Sequence, residues 1–131
     1  MTINKYVKIF KALGEPTRLK ILKLLSVRPM YVCELESVLN MSQPRISQHL
    51  RTMKEAGLVT EKKEAQRTFY SLQIDYLDEC FDSLIAFFHA DLAGLPQFKE
   101  EYLRLKQVDN DREISLCKEG KIEAVPWKQE A

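Results

Sequence analysis

The stretch "SQPRISQHLRTMKEAGLV", residues 42–59, decides how the rest of the chain is read. Ile46, Leu50 and Met53 recur at helical spacing and predict the apolar side of a helix running from about Gln43 to Ala56. Ser42 stands where an N-cap is expected, Pro44 suits the first turn, and Gly57 suits the C-terminal cap. The opposite side carries Arg45, Ser47, Gln48 and Arg51, and no acidic residue occurs between Ser42 and Lys54. A helix face that only meets water normally mixes both signs of charge; this one is equipped to donate hydrogen bonds and to tolerate phosphate.

Working outward, "YVCELESVL" (31–39) predicts a short helix with Leu35, Val38 and Leu39 turned inward, and Asn40-Met41 makes the turn after it. "PTRLKILKLL" (16–25) predicts a buried helix with Leu19, Leu22 and Leu25 on one face, widened by Ile21 and Leu24. Residues 3–13 place Ile3, Val7, Phe10 and Leu13 on one side with lysines opposite, and Gly14 stops that helix. Downstream, "LVTEKK" and "RTFYSL" alternate and predict two strands joined near "EAQ". Two short helices joined by a tight turn and followed by a hairpin describe a winged helix-turn-helix, a fold that is mainly α with a small β-hairpin.

After Leu72 a second apolar stripe begins: Ile74, Leu77, Phe81, Leu84, Ile85, Phe88 and Leu92. Its spacing predicts a helix of about 20 residues, too apolar for one small domain to cover. The economical partner is its own copy in a second subunit, so this helix, 74–93, is expected to pair in a homodimer. The domain division expected is 1–93 for DNA binding and dimerisation and 94–131 for a C-terminal extension. "QFKEEYLRL" in that extension suits a further short helix, and the tail from Gln107 is polar and without clear period, so partial order is expected there.

The net charge of +1 conceals an asymmetry. Seven basic residues face three acids in 1–40, six face three in 41–69, and seven face thirteen in 70–131. A basic first half suits a polyanionic partner met by one face only. No apolar run approaches a membrane span and no signal-peptide core is present, so a cytoplasmic location with reduced thiols at Cys33, Cys80 and Cys117 is expected. Catalytic patterns are missing: there is no C-x-x-C, the four glycines are isolated, and neither histidine lies near a nucleophile in the sequence. The expectation is that this is no enzyme.

A helix entering the DNA major groove must donate to base edges and keep carboxylates from phosphates. Arg45 suits guanine, Gln43 and Gln48 suit adenine, Ser42 and Ser47 suit phosphate or base contacts, and Arg51 suits the backbone. Lys62, Lys63 and Arg67, at or beside the hairpin tip, suit phosphate or minor groove. His49 lies at the edge of the buried side and fits a structural histidine as well as a DNA contact. The partner expected is double-stranded DNA, with no membrane. A winged helix used only for protein contact is a second reading, which the basic recognition face disfavours.

The stretches "FKALGEPTRLKILKLL", "VCELESVLNMSQPRISQHLRTMKEAGLV" and the hairpin ending "RTFYSL" resemble the ArsR/SmtB family of bacterial metal- and stress-sensing repressors. The resemblance covers roughly residues 5–92. It implies a homodimeric repressor, held through the first and fifth helices (3–13 and 74–93), that binds an inverted-repeat operator and leaves it when an inducer binds. One departure is the wing loop "KEAQR", which lacks the glycine usual there.

The resemblance bears on the inducer as well. In the arsenic-, antimony-, cadmium- and lead-sensing branch the helix before the recognition helix opens with "ELCVCDL". Here the aligned stretch is "PMYVCEL", so Cys33 matches the second thiolate and Tyr31 replaces the first. With Cys80 and Cys117 the chain still holds three thiols, a set suited to trivalent arsenic or another soft metal ion. Between Lys106 and Cys117 the chain can extend about 35 Å, enough to approach either of the other cysteines. The family's second metal site, D-x-H…H-x-x-E or H on the dimer helix, fails here because Leu77 follows Asp75 and Leu92 follows His89. No cofactor is required; the metal would act as inducer. The alternative is a thiol-based redox or persulfide-responsive repressor of the same fold.

Overall fold

The computed structural model describes residues 2–111, 113 and 114. The chain falls into two compact units, Met1–Phe88 and His89–Ala131. In the first, α1 (Ile3–Leu13) starts at Thr2, whose hydroxyl accepts from the Lys5 amide, and α2 (Pro16–Leu25) follows with proline in its first turn. Next come β1 (Met30–Tyr31), α3 (Val32–Leu39) and α4 (Gln43–Glu55). Asn40, at φ 52°, turns the chain between the two helices. The hairpin β2 (Val59–Glu64) and β3 (Arg67–Leu72) leads into α5 (Ile74–His89). The sheet order is β1-β3-β2, antiparallel, with Tyr31 opposite Phe69 and Lys62 also opposite Phe69.

The C-terminus of α4 shows why the recognition segment ends where it does. Gly57 has φ 81°, its amide donates to the Lys54 carbonyl, and the Leu58 amide donates to the Met53 carbonyl. These two bonds satisfy carbonyls that the helix would otherwise leave without partners. The chain is thereby turned straight into β2. At the other end Ser42 occupies the N-cap position, but its hydroxyl makes no capping bond, a departure from the expected cap.

Ile46, Leu50 and Met53 are fully buried with Ile21, Leu35 and Leu58, so α4 is fixed by its apolar side. Each such side chain contributes roughly 1.5–3 kcal/mol through burial. Two inward assignments differ from expectation: Leu19 on α2 and Val38 on α3 point to solvent. In α1 the buried residues are Tyr6, Ile9 and Ala12, and the Ile3, Val7 and Phe10 stripe is exposed. The helix expected to reach residue 93 ends at His89, and Leu92 lies in a short 3₁₀ turn.

The second unit contains two 3₁₀ turns, Leu92–Gly94 and Pro96–Phe98, and α6 (Lys99–Asp109). Within α6, Arg104 pairs with Glu100 at 3.5 Å and the Lys106 ammonium sits over the Tyr102 ring. Cys117 and the tail from residue 115 lie outside the described residues. Among the described residues no helix is long and apolar enough to cross a membrane.

Candidate nucleic-acid interface

The outer face of α4 carries the donors expected of it. Ser42, Gln43, Arg45, Gln48 and Arg51 are exposed, and Ser47 is half-buried. Among the described residues neither Arg45 nor Arg51 forms an ion pair, so their guanidinium groups are not committed to a carboxylate. The Gln43 amide donates to the Ser47 hydroxyl at 2.7 Å, one turn further on, which holds both side chains on the same strip. Arg51 lies near enough to the Tyr70 phenol to favour its ionised form slightly, at the border between α4 and the hairpin.

His49 is placed differently from the rest of this list. Its ring is largely covered, with Nδ1 3.4 Å from Arg18 Nη1 and 3.8 Å from Glu15 Oε2. The same Arg18 donates from Nε to the Ala12 carbonyl at 2.7 Å and from Nη2 to the Lys11 carbonyl at 3.0 Å. Glu15 caps α2 by accepting from the Arg18 amide at 2.9 Å. Partial desolvation pushes the Glu15 carboxyl up, but the hydrogen bond from the Arg18 amide and the Arg18 charge outweigh it and leave it below the usual carboxylate value. Sequence reading missed this cluster. Its only signals were a Glu and an Arg flanking Pro16 and a histidine at the edge of an apolar stripe.

The wing brings Lys62, Lys63 and Arg67 to the surface, all exposed. Successive strand residues point to opposite faces, so Lys62 and Lys63 are divided between the two sides of the hairpin. Lys63 shares a face with Glu61, which accepts from the Tyr70 hydroxyl at 2.8 Å and pairs with Lys54 of α4 at 3.4 Å. Burial and that bond to Glu61 push the Tyr70 phenol up to about 12. The turn itself is made without glycine: Ala65 adopts φ 56°, a left-handed conformation that usually favours glycine.

Tyr31, which stands where the family pattern has a first cysteine, ties the start of α3 to the wing. Its ring packs edge-on against Phe69 at 5.7 Å, carries the Arg67 guanidinium at 5.3 Å, and its hydroxyl donates to Glu64 at 3.3 Å. Glu34 accepts from the Tyr31 amide at 3.0 Å and takes both terminal nitrogens of Arg28, at 2.6 and 3.3 Å. The Arg28 fork and the Tyr31 amide hold the Glu34 carboxyl at about 2.

The cysteines occupy dissimilar surroundings. Cys33 is exposed in the first turn of α3 and lines an open cleft together with Tyr31, Gln43 and Arg67. Cys80 is buried on α5, next to Tyr6, Ile9 and Phe81 of the α1–α5 contact. Burial and contact with that thiol push the Tyr76 phenol up. Among the described residues no three Cys, His, Asp or Glu side chains converge in the manner of a metal site.

A further surface on the first unit is apolar. Ile3, Val7 and Phe10 of α1 and Phe81, Ile85 and Phe88 of α5 are each 40–59% exposed. The two helices are joined beneath it by the Tyr6 hydroxyl and Ser83 at 2.8 Å and by the Phe10–Phe81 ring contact at 6.5 Å.

Residues 15–61 match the family model described as bacterial regulatory protein, arsR family. The chain is 46% identical over 77 residues to an uncharacterised HTH-type transcriptional regulator of Methanocaldococcus jannaschii, covering 58% of this chain and 86% of the relative. It is 35% identical to an arsenical resistance operon repressor of Staphylococcus xylosus, covering 60% and 75% of the two chains. Among solved structures, HlyU from Vibrio cholerae superposes with a TM-score of 0.53 at 38% identity, over 64% of this chain and 97% of that one.

Proposed function

The chain belongs to the ArsR family of bacterial regulatory proteins, a family of DNA-binding transcription regulators, and from that premise we propose that it is a homodimeric repressor released from its operator when a thiol-reactive inducer occupies Cys33. The observation that carries the DNA-binding part is the outer face of α4. Arg45, Gln48 and Arg51 stand exposed, the two arginines without an ion pair among the described residues, on a helix locked by Ile46, Leu50 and Met53. Arg45 reads guanine, Gln43 and Gln48 read adenine, Ser42, Ser47 and Arg51 hold phosphate or base edges, and Lys62, Lys63 and Arg67 grip the backbone beside them. The exposed apolar residues of α1 and α5 support a dimer through the first and fifth helices, which would set two recognition helices into successive major grooves of an inverted repeat.

Soft thiolates select soft ions, so trivalent arsenic or another soft metal ion is the inducer class this reading favours. The arsenical repressor of Staphylococcus xylosus supports it by kinship. Cys33 shares its cleft with Gln43 and Arg67, two of the residues assigned to DNA, so an adduct there competes with the DNA-bound arrangement. Cys80 would join Cys33 in a thiol site only if α5 loosened around it, and Cys117, the third thiol of the expected set, lies outside the described residues. The exposure of Cys33 also suits a second reading, in which peroxide or persulfide oxidises two of the thiols to a disulfide or polysulfide bridge without any metal.

Fluorescence anisotropy of the reduced protein on duplex DNA from upstream of its own gene tests the proposal. Arsenite is expected to release the DNA from wild-type protein and to fail with Cys33→Ser, while Cys80→Ser and Cys117→Ser report which thiols assist. Binding indifferent to arsenite but abolished by persulfide and restored by dithiothreitol would replace the metalloid with the redox signal. Binding indifferent to both would discard Cys33 as the sensor.

A further inference from the structure

We propose that Glu15, Arg18 and His49 form a joint that sets the angle of the recognition helix α4 against α1, and that His49 is a positioning residue, not a DNA contact. The inference rests on the reading of α4 as the DNA-binding helix. Arg18 is the centre of the joint. Two arms of its guanidinium hold the last carbonyls of α1, at Ala12 and Lys11, and the third reaches His49 on α4. An arginine only donates, so Nδ1 of His49 accepts and the ring proton sits on Nε2. Glu15 stands on the other side of the same nitrogen at 3.8 Å and fixes the Arg18 backbone by capping α2. One planar fork carried by α2 thus ties α1 to α4 at the point where α1 ends and α2 begins.

Geometry makes this joint matter for DNA. Val7 and Phe10, on the same α1 whose C-terminus Arg18 holds, belong to the exposed apolar face. A rotation of α1 within a dimer is therefore transmitted to α4 by the Arg18 fork as well as by the core. Two recognition helices read an inverted repeat only when their separation matches the half-site spacing, about 34–36 Å. A joint that fixes the angle of α4 fixes that separation. A residue that merely touches a base does not.

The difference can be read on duplexes in which the half-sites of the bound DNA are moved apart or together by a base pair. His49→Ala and Arg18→Lys are each expected to lose about tenfold in affinity on the native spacing, the effect of removing one charge-assisted bond. They should also bind native and altered spacings nearly alike. His49→Asn, whose Oδ1 accepts where Nδ1 did, should retain both affinity and spacing discrimination. Melting curves accompany each variant. Should His49→Ala fail to fold, Arg18→Lys carries the same test, because it keeps the charge and the aliphatic stem and loses the fork. The proposal is overturned if His49→Ala loses affinity equally at every spacing and relaxes preference at one base, since that is a base contact. It is equally overturned if His49→Asn is as impaired as His49→Ala, or if neither His49→Ala nor Arg18→Lys differs from wild type. A wild-type protein that prefers no duplex over scrambled DNA would sink the DNA-binding reading and this inference together.

Discussion

Arg45 stands exposed on the outer face of α4 without an ion-pair partner among the described residues, and in the proposed role its fork suits guanine. A bidentate arginine–guanine pair discriminates by about 1–3 kcal/mol, so Arg45→Ala should lose that much on the operator and tolerate any base at one position. Anisotropy on a set of singly substituted duplexes measures it; equal loss on all of them would reassign Arg45 to phosphate. Gln43 and Ser47 behave as a pair, since the amide already donates to the hydroxyl before any DNA is present. Nε2 carries two hydrogens, so Gln43 can keep that bond and, in the proposed role, still offer its second N–H and Oε1 to an adenine edge. His49, three residues from Ile46, shows what residue type alone conceals. Its neighbours Gln48 and Arg51 are exposed, whereas its own ring nitrogen faces Arg18 across the helix junction.

At the scale of elements, α4 and the hairpin were legible because their signals are local: an apolar period, a glycine cap, and alternation in two β-branched and aromatic runs. β1 was not, because two residues after Pro29 have no period to read, and only Tyr70 and Phe69 across the sheet define them as a strand. The spacing of Leu19 and Val38 predicts that both face inward, yet a helix buried along a narrow strip leaves its flanking apolar residues outside. In α1 two apolar strips exist, Tyr6-Ile9-Ala12 and Ile3-Val7-Phe10, and period alone cannot tell the core side from the side awaiting a partner. The start of α3 depends on a bond the sequence hides, between Arg28 and Glu34. A carboxyl held at about 2 in the fold, against an ordinary 4.5, contributes stability that is complete above the ordinary value and is lost as pH falls toward the lower one. Urea midpoints followed from neutral pH into acid should fall for wild type across that window. Glu34→Gln should fall less there, because glutamine still accepts from the Tyr31 amide and has no proton to gain. An unchanged acid profile in Glu34→Gln would show that the Arg28 pair contributes nothing to folding.

For the whole molecule, an exposed apolar face on a small domain and a basic recognition face are two halves of one arrangement. Ile85→Glu places a charge on the α5 side of the apolar face, at a position already 55% exposed, so the chain should fold and lose its partner. Sedimentation should then report a monomer, and operator affinity should drop by about a hundredfold or more, because the second half-site no longer benefits from the first. A dimer that survives Ile85→Glu would move the interface elsewhere. The central claim, that the face of α4 reads duplex DNA with the wing beside it, is tested most directly by a salt titration. Affinity for upstream duplex and for scrambled duplex would be measured by anisotropy from low to physiological ionic strength. The account predicts a steep linear fall of log K with log salt on both, about −0.9 per phosphate neutralised, with the upstream duplex preferred throughout. A flat salt response, or equal affinity for the two duplexes, would contradict it.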